Sequence, residues 1–107
     1  MIAQIEPAEV AAWRADAART GPVLVDVREP WELAICNIAG SVAMPMAELP
    51  RRVEELPRER ELVLVCHTGV RSAMAAAFLE RLGFTVHNLR GGVAAWAQTV
   101  EPSMPRY

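Results

Sequence analysis

Cys66-His67-Thr68-Gly69-Val70-Arg71-Ser72 is the one stretch of this 107-residue sequence that gathers a nucleophile, a turn-forming glycine and a permanent cation within six positions. It follows the aliphatic run Leu62-Val63-Leu64-Val65 and precedes Ala73-Met74-Ala75-Ala76-Ala77-Phe78-Leu79, a strong helix former. A cysteine that closes a strand directly before a helix has two sources of anion stabilisation. Successive backbone N–H groups of a tight loop converge on it, and the helix adds its positive end, so the sulfur is expected as a thiolate. His67, Thr68, Gly69, Val70 and Ser72 form the expected substrate-binding loop, with Gly69 permitting the sharp turn. Arg71 is expected to fold over the rim and clamp an oxyanion with two donors, which lysine could not do. Singly, Cys66 reads as a buried strand-end cysteine and Arg71 as a surface helix residue. The spacing strand, cysteine, glycine, arginine, helix favours the chemical reading.

The rest of the chain must position that loop. Short apolar runs at 2–5, 23–27, 41–44, 62–66 and 86–89 read as five buried strands. Helical stretches fall between them at 7–18, 30–35, 46–56, 72–82 and 93–100. Strand and helix in alternation predict an α/β three-layer sandwich, a five-stranded, mainly parallel sheet with helices on both faces. Residues 1–100 are expected to form the domain and 101–107 a loose C-terminal tail. Ligands of such sheets bind at the carboxyl ends of strands, where Cys66 lies and where Asp26 and Arg28 follow another strand.

Composition removes other classes of function. All 11 basic residues are arginine, 13 acids outnumber them, and the net charge is −2, so no basic tract offers itself to nucleic acid. Without lysine there is no Schiff base and no P-loop lysine. Two aspartates exclude an oxygen-rich calcium loop, and two cysteines thirty apart fit no zinc spacing. The longest apolar run, seven residues from Ala73 to Leu79, is far below a membrane span, and the first residues carry no cationic segment before an apolar one. The expectation is a cytoplasmic protein with no metal, no nucleic acid and no membrane partner.

With the loop and the alternation in place, the sequence resembles the rhodanese family of sulfurtransferases. Cys66-His67-Thr68-Gly69-Val70-Arg71-Ser72 is similar to that family's Cys-x-x-Gly-x-Arg-Ser/Thr active-site loop, and Val25-Asp26-Val27-Arg28-Glu29-Pro30-Trp31-Glu32 to its Asp-x-Arg region. Leu89-Arg90-Gly91-Gly92-Val93-Ala94-Ala95-Trp96 matches its closing Gly-Gly-aliphatic-x-x-Trp, so the likeness covers roughly residues 3–98. One departure is Asn37, where the family usually has histidine in the turn before the third strand. The resemblance implies that Cys66 takes a sulfane sulfur from thiosulfate or a similar donor, holds it as a persulfide and passes it to cyanide or a thiol. No cofactor is implied, because the cysteine carries the transferred atom. A protein acceptor is left open.

Two other classes compete: a small cysteine-dependent phosphatase or arsenate reductase with a similar cradle, and a non-catalytic module that keeps only the fold. Four residues separate Cys66 from Arg71, where the phosphatases that the loop resembles have five. The shorter ring is expected to close around one sulfur rather than a phosphoryl group. Asp26 and Arg28 read as structural support through mutual pairing. His67 reads as a rim residue, His87 as packed or surface, and Gly91-Gly92 as a turn that needs positive φ or close backbone approach. Trp13, Trp31 and Trp96 read as core or rim. Cys36 is placed at the edge of the sheet opposite Cys66, as a turn residue and not a disulfide partner.

Overall fold

The computed structural model describes residues 2–107. Along the chain run β1 (Ala3–Ile5), α1 (Pro7–Ala15), β2 (Val23–Asp26), α2 (Pro30–Ile35), β3 (Val42–Ala43), α3 (Leu49–Arg52) with a 3₁₀ turn over Val53–Glu55, β4 (Leu62–Val65), α4 (Val70–Arg81), β5 (Val86–Leu89) and α5 (Gly92–Thr99). The strands form one sheet in the order β1-β5-β4-β2-β3. Among the described residues each strand pairing is parallel.

Alternation along each strand divides the core in two. Val25, Leu62, Leu64 and Cys66 face a cluster completed by Leu49 and Leu56 on one side of the chain and by Ala75, Ala76 and Leu79 of α4. Leu24, Val63, Val65 and Leu89 face the other way, onto Val10 and Trp13 of α1 and Val93, Trp96 and Ala97 of α5. The four residues of β4 are buried to 0% exposure, as a central strand covered on both faces requires.

The strand order also locates a crevice. From β2 the chain moves outward to β3, whereas from β4 it moves the opposite way to β5, so the loops after these two neighbours diverge. Asp26 is level with Val65 in the register, which brings the residues after β2 beside those after β4.

Several boundaries differ from the sequence expectation, each for a local reason. α1 stops at Ala15 because the Asp16 side chain accepts the Ala18 N–H at 3.0 Å and turns the chain. The helix expected over 46–56 is only Leu49–Arg52 plus the 3₁₀ turn, since Pro50 has no N–H to return to an upstream carbonyl. α4 begins at Val70 rather than Ser72, capped by Gly69 at φ 103, and so Arg71 lies in the first helical turn. Residues 101–107, expected to be loose, fold back: Met104 is 4% exposed and the Arg106 guanidinium donates to the Ala97 carbonyl at 3.1 Å.

Candidate active site

Cys66 directly follows β4 and is 1% exposed. The Gly69 N–H donates to Sγ at 3.1 Å, and the Ser72 hydroxyl lies 3.2 Å from it. Burial raises the thiol pKa, but hydrogen bonds from the Ser72 hydroxyl and backbone and from the Gly69 and Thr68 N–H groups outweigh it, and the net direction is down. The sulfur therefore sits under the start of α4 in an environment built for negative charge.

What turns those N–H groups inward is the neighbouring helix. The first turn of α5 binds the loop from behind, with Val93 N–H donating to the Cys66 carbonyl at 2.9 Å and Ala94 N–H to that of His67 at 3.1 Å. With these carbonyls held outward, the amides that follow are free to face the sulfur. Gly91 and Gly92 make the approach possible. Both have positive φ, and a Cβ on Gly92 would lie 2.4 Å from the carbonyl oxygens of Cys66 and His67.

The Ser72 hydroxyl carries one proton between two neighbours, Sγ and Asn88 Oδ1, the latter at 2.5 Å. Asn88, 2% exposed on β5, donates in turn to the Gly69 carbonyl at 3.0 Å and to Gln4 Oε1 at 3.1 Å. β5 and β1 thus brace the loop from the side.

Arg71 does not hang free over the loop. Its two terminal nitrogens donate to the two oxygens of Glu32 at 2.7 Å each, a bidentate pair joining α4 to α2. Glu32 is 2% exposed and also accepts the Glu29 N–H at 3.0 Å and the Tyr107 hydroxyl at 2.7 Å. The Arg71 pairing, opposed by burial and assisted by Glu29 and Tyr107, holds its carboxyl down to about 2. Behind it Asp26 and Arg28, both 0% exposed, form a closed ion pair at 2.8 Å. The remaining Arg28 donors go to the Cys36 carbonyl at 2.8 Å and to the Tyr107 hydroxyl at 2.9 Å.

A model of the rhodanese-like domain matches residues 6–99 of this chain. The chain belongs to the rhodanese-like domain family. The "Sulfurtransferase" of Allochromatium vinosum is 43% identical over 77 residues, covering 71% of this chain and 72% of that protein. The "Probable adenylyltransferase/sulfurtransferase MoeZ" of Mycobacterium tuberculosis is 38% identical over 107 residues, but this chain spans only 26% of it. The crystal structure of a rhodanese-related protein from Thermoplasma volcanium superimposes with a TM-score of 0.84 at 31% identity, over 94% of this chain and 95% of that one.

In this rhodanese-like domain the loop side chains divide. Thr68 and Val70 point outward, Ser72 is fully buried, and His67 stacks on Tyr107 with ring centroids 4.0 Å apart. Trp13 and Trp96 are core residues, while Trp31 is 62% exposed with its ring edge-on to Tyr107. His87 bonds Glu61 at 2.8 Å and meets Trp13 edge-on, away from the loop. Asn37 is exposed after α2, its amide 3.4 Å from the Leu33 carbonyl.

Cys36 is not at the opposite edge of the sheet. Its Sγ lies 3.8 Å from Arg28 Nη1, and it shares with His67, Val93 and Tyr107 the lining of a pocket of about 210 Å³. The topological expectation put Cys36 in the turn that enters the third strand, at the far edge of the sheet. At six residues α2 rises only about 9 Å, and the descent toward β3 comes after Cys36. Both cysteines are free thiols.

Glu32, Asn88 and Tyr107 are the site residues that sequence reasoning missed. Glu32 had a signal, as the third helical residue after Glu29 in a capping box. Asn88 had one too, a lone amide in the buried run Val86–Leu89. Tyr107 had none.

Proposed function

We propose that this rhodanese-like domain moves a sulfane sulfur from thiosulfate, or a donor like it, through a persulfide on Cys66 to a thiophilic acceptor such as cyanide or a small thiol. The observation that carries the reading is the buried Cys66 Sγ held by the Gly69 N–H and the Ser72 hydroxyl, with its pKa lowered.

The Cys66 thiolate attacks the outer sulfur of thiosulfate. A new S–S bond to Cys66 forms as that of thiosulfate breaks, and sulfite departs with the electron pair. The persulfide retains one negative charge, which the loop amides and Ser72 are placed to hold. An acceptor nucleophile then bonds to the outer sulfur, as cyanide would in giving thiocyanate, and the Cys66 thiolate returns. Arg71 supplies donors to the oxyanion by releasing part of its hold on Glu32.

One feature favours sulfur over phosphate: four residues separate Cys66 from Arg71, a ring short enough to close around a single sulfur. Two free thiols are in keeping with a reducing, cytoplasmic setting.

The test is sulfur transfer from thiosulfate to cyanide by wild type, Cys66→Ser and Arg71→Lys. Cys66→Ser falls to background while keeping its fold. Arg71→Lys loses about tenfold in kcat/KM, because a point charge replaces a fork. Substantial transfer by Cys66→Ser, or efficient aryl phosphate hydrolysis without sulfur transfer, rejects the reading.

A further inference from the structure

Tyr107 touches three parts of the site at once. Its hydroxyl donates to Glu32 Oε2 at 2.7 Å, accepts from Arg28 Nη1 at 2.9 Å, and its ring stacks on His67, the residue after Cys66, at 12° between planes. Arginine has no acceptor, so the contact with Arg28 fixes the direction of the hydroxyl proton: it must point to Glu32. Burial raises the phenol pKa, with Arg28 and Glu32 acting in opposite senses, and the hydroxyl therefore keeps its proton over the working range.

Glu32 is where this matters. Its nearly buried carboxylate accepts four donors, two from Arg71, one from Glu29 N–H and one from Tyr107. When Arg71 turns to an incoming oxyanion, the carboxylate would be stripped of its principal partner, a costly state for a buried charge. Tyr107 and the Glu29 amide stay behind and satisfy one oxygen each. We propose that Tyr107 is a positioning residue for sulfur donors with an oxyanion leaving group, because its hydroxyl holds Glu32 and so lets Arg71 be shared with the donor.

The assignment rests on the sulfur-transfer reading and makes a narrower claim. A donor that departs as a simple thiolate has no use for the Arg71 fork, whereas thiosulfate does. Tyr107→Phe keeps the ring stacked on His67 and removes only the hydroxyl. Its thermal midpoint is compared with wild type to confirm folding, and kcat/KM is measured with thiosulfate and with glutathione persulfide, cyanide being the acceptor in both. The expected result is a loss of about tenfold with thiosulfate, mostly as a rise in KM, and a change within about twofold with glutathione persulfide. Equal losses with both donors would reveal a merely structural residue and overturn the assignment, as would no loss with either. Wild type that transfers sulfur from neither donor would instead reject the sulfur-transfer reading itself.

Discussion

Gly92 lies against the carbonyl of Cys66 so closely that a Cβ at this position would sit 2.4 Å from the oxygen. The contact lets the first turn of α5 hold the Cys66 loop by its backbone. It explains how the backbone carbonyls of Cys66 and His67 are held outward while the amides that follow face one sulfur atom.

Gly92→Ala is therefore expected to damage the site and the fold together. The atoms in the way are backbone, and φ is +60 besides, so the substitution should cost about 2 kcal/mol or more in urea unfolding and lower sulfur transfer sharply. Gly21→Ala is the control. Nothing lies within 4 Å of a Cβ there, and stability should change by no more than about 0.5 kcal/mol.

The hydrogen bond to Ser72 should be visible in the titration of the thiol. In a Cys36→Ser background, ultraviolet thiolate absorbance reports Cys66 alone. Its midpoint should lie below the ordinary thiol value of 9.0, and Ser72→Ala should move it upward, because burial persists while one stabilising donor is lost. A midpoint at or above 9.0 in the parent protein would contradict the proposed loop electrostatics.

Glu32 ties stability to acid. Its carboxyl is lowered from 4.5 to about 2, so its contribution is complete above pH 4.5 and disappears as the pH falls from there toward 2. Arg71 is 38% exposed, and solvent screening reduces the contribution to on the order of 2 kcal/mol. The stability gap between wild type and Glu32→Gln, followed by urea unfolding, should narrow across that window. A gap independent of pH would show that Glu32 is held by packing alone.

Much of this was legible in the sequence because it is local. Leu62–Val65 announces a buried strand by composition, and Cys66, Gly69 and Arg71 announce a site by spacing. Contacts across long stretches of chain leave no such pattern. Arg71 and Glu32 are 39 residues apart, and Tyr107 and Glu32 are 75 apart. Each partner alone looks like an ordinary surface residue, and only the meeting of α2, α4 and the folded-back end makes them one network. Cys36 departs from its expected place for a related reason: the sequence shows that it precedes a parallel strand, but not that the chain returns to the far edge only after Cys36.

If Cys66 carries the transferred sulfur, incubating the purified protein with thiosulfate leaves a covalent mark that mass spectrometry of the intact chain and of its unreduced peptides reads out. One added sulfur should appear, on the peptide containing Cys66, and cyanide should remove it. No added sulfur, or sulfur on Cys36 with Cys66 unmodified, would rule out Cys66 as the carrier.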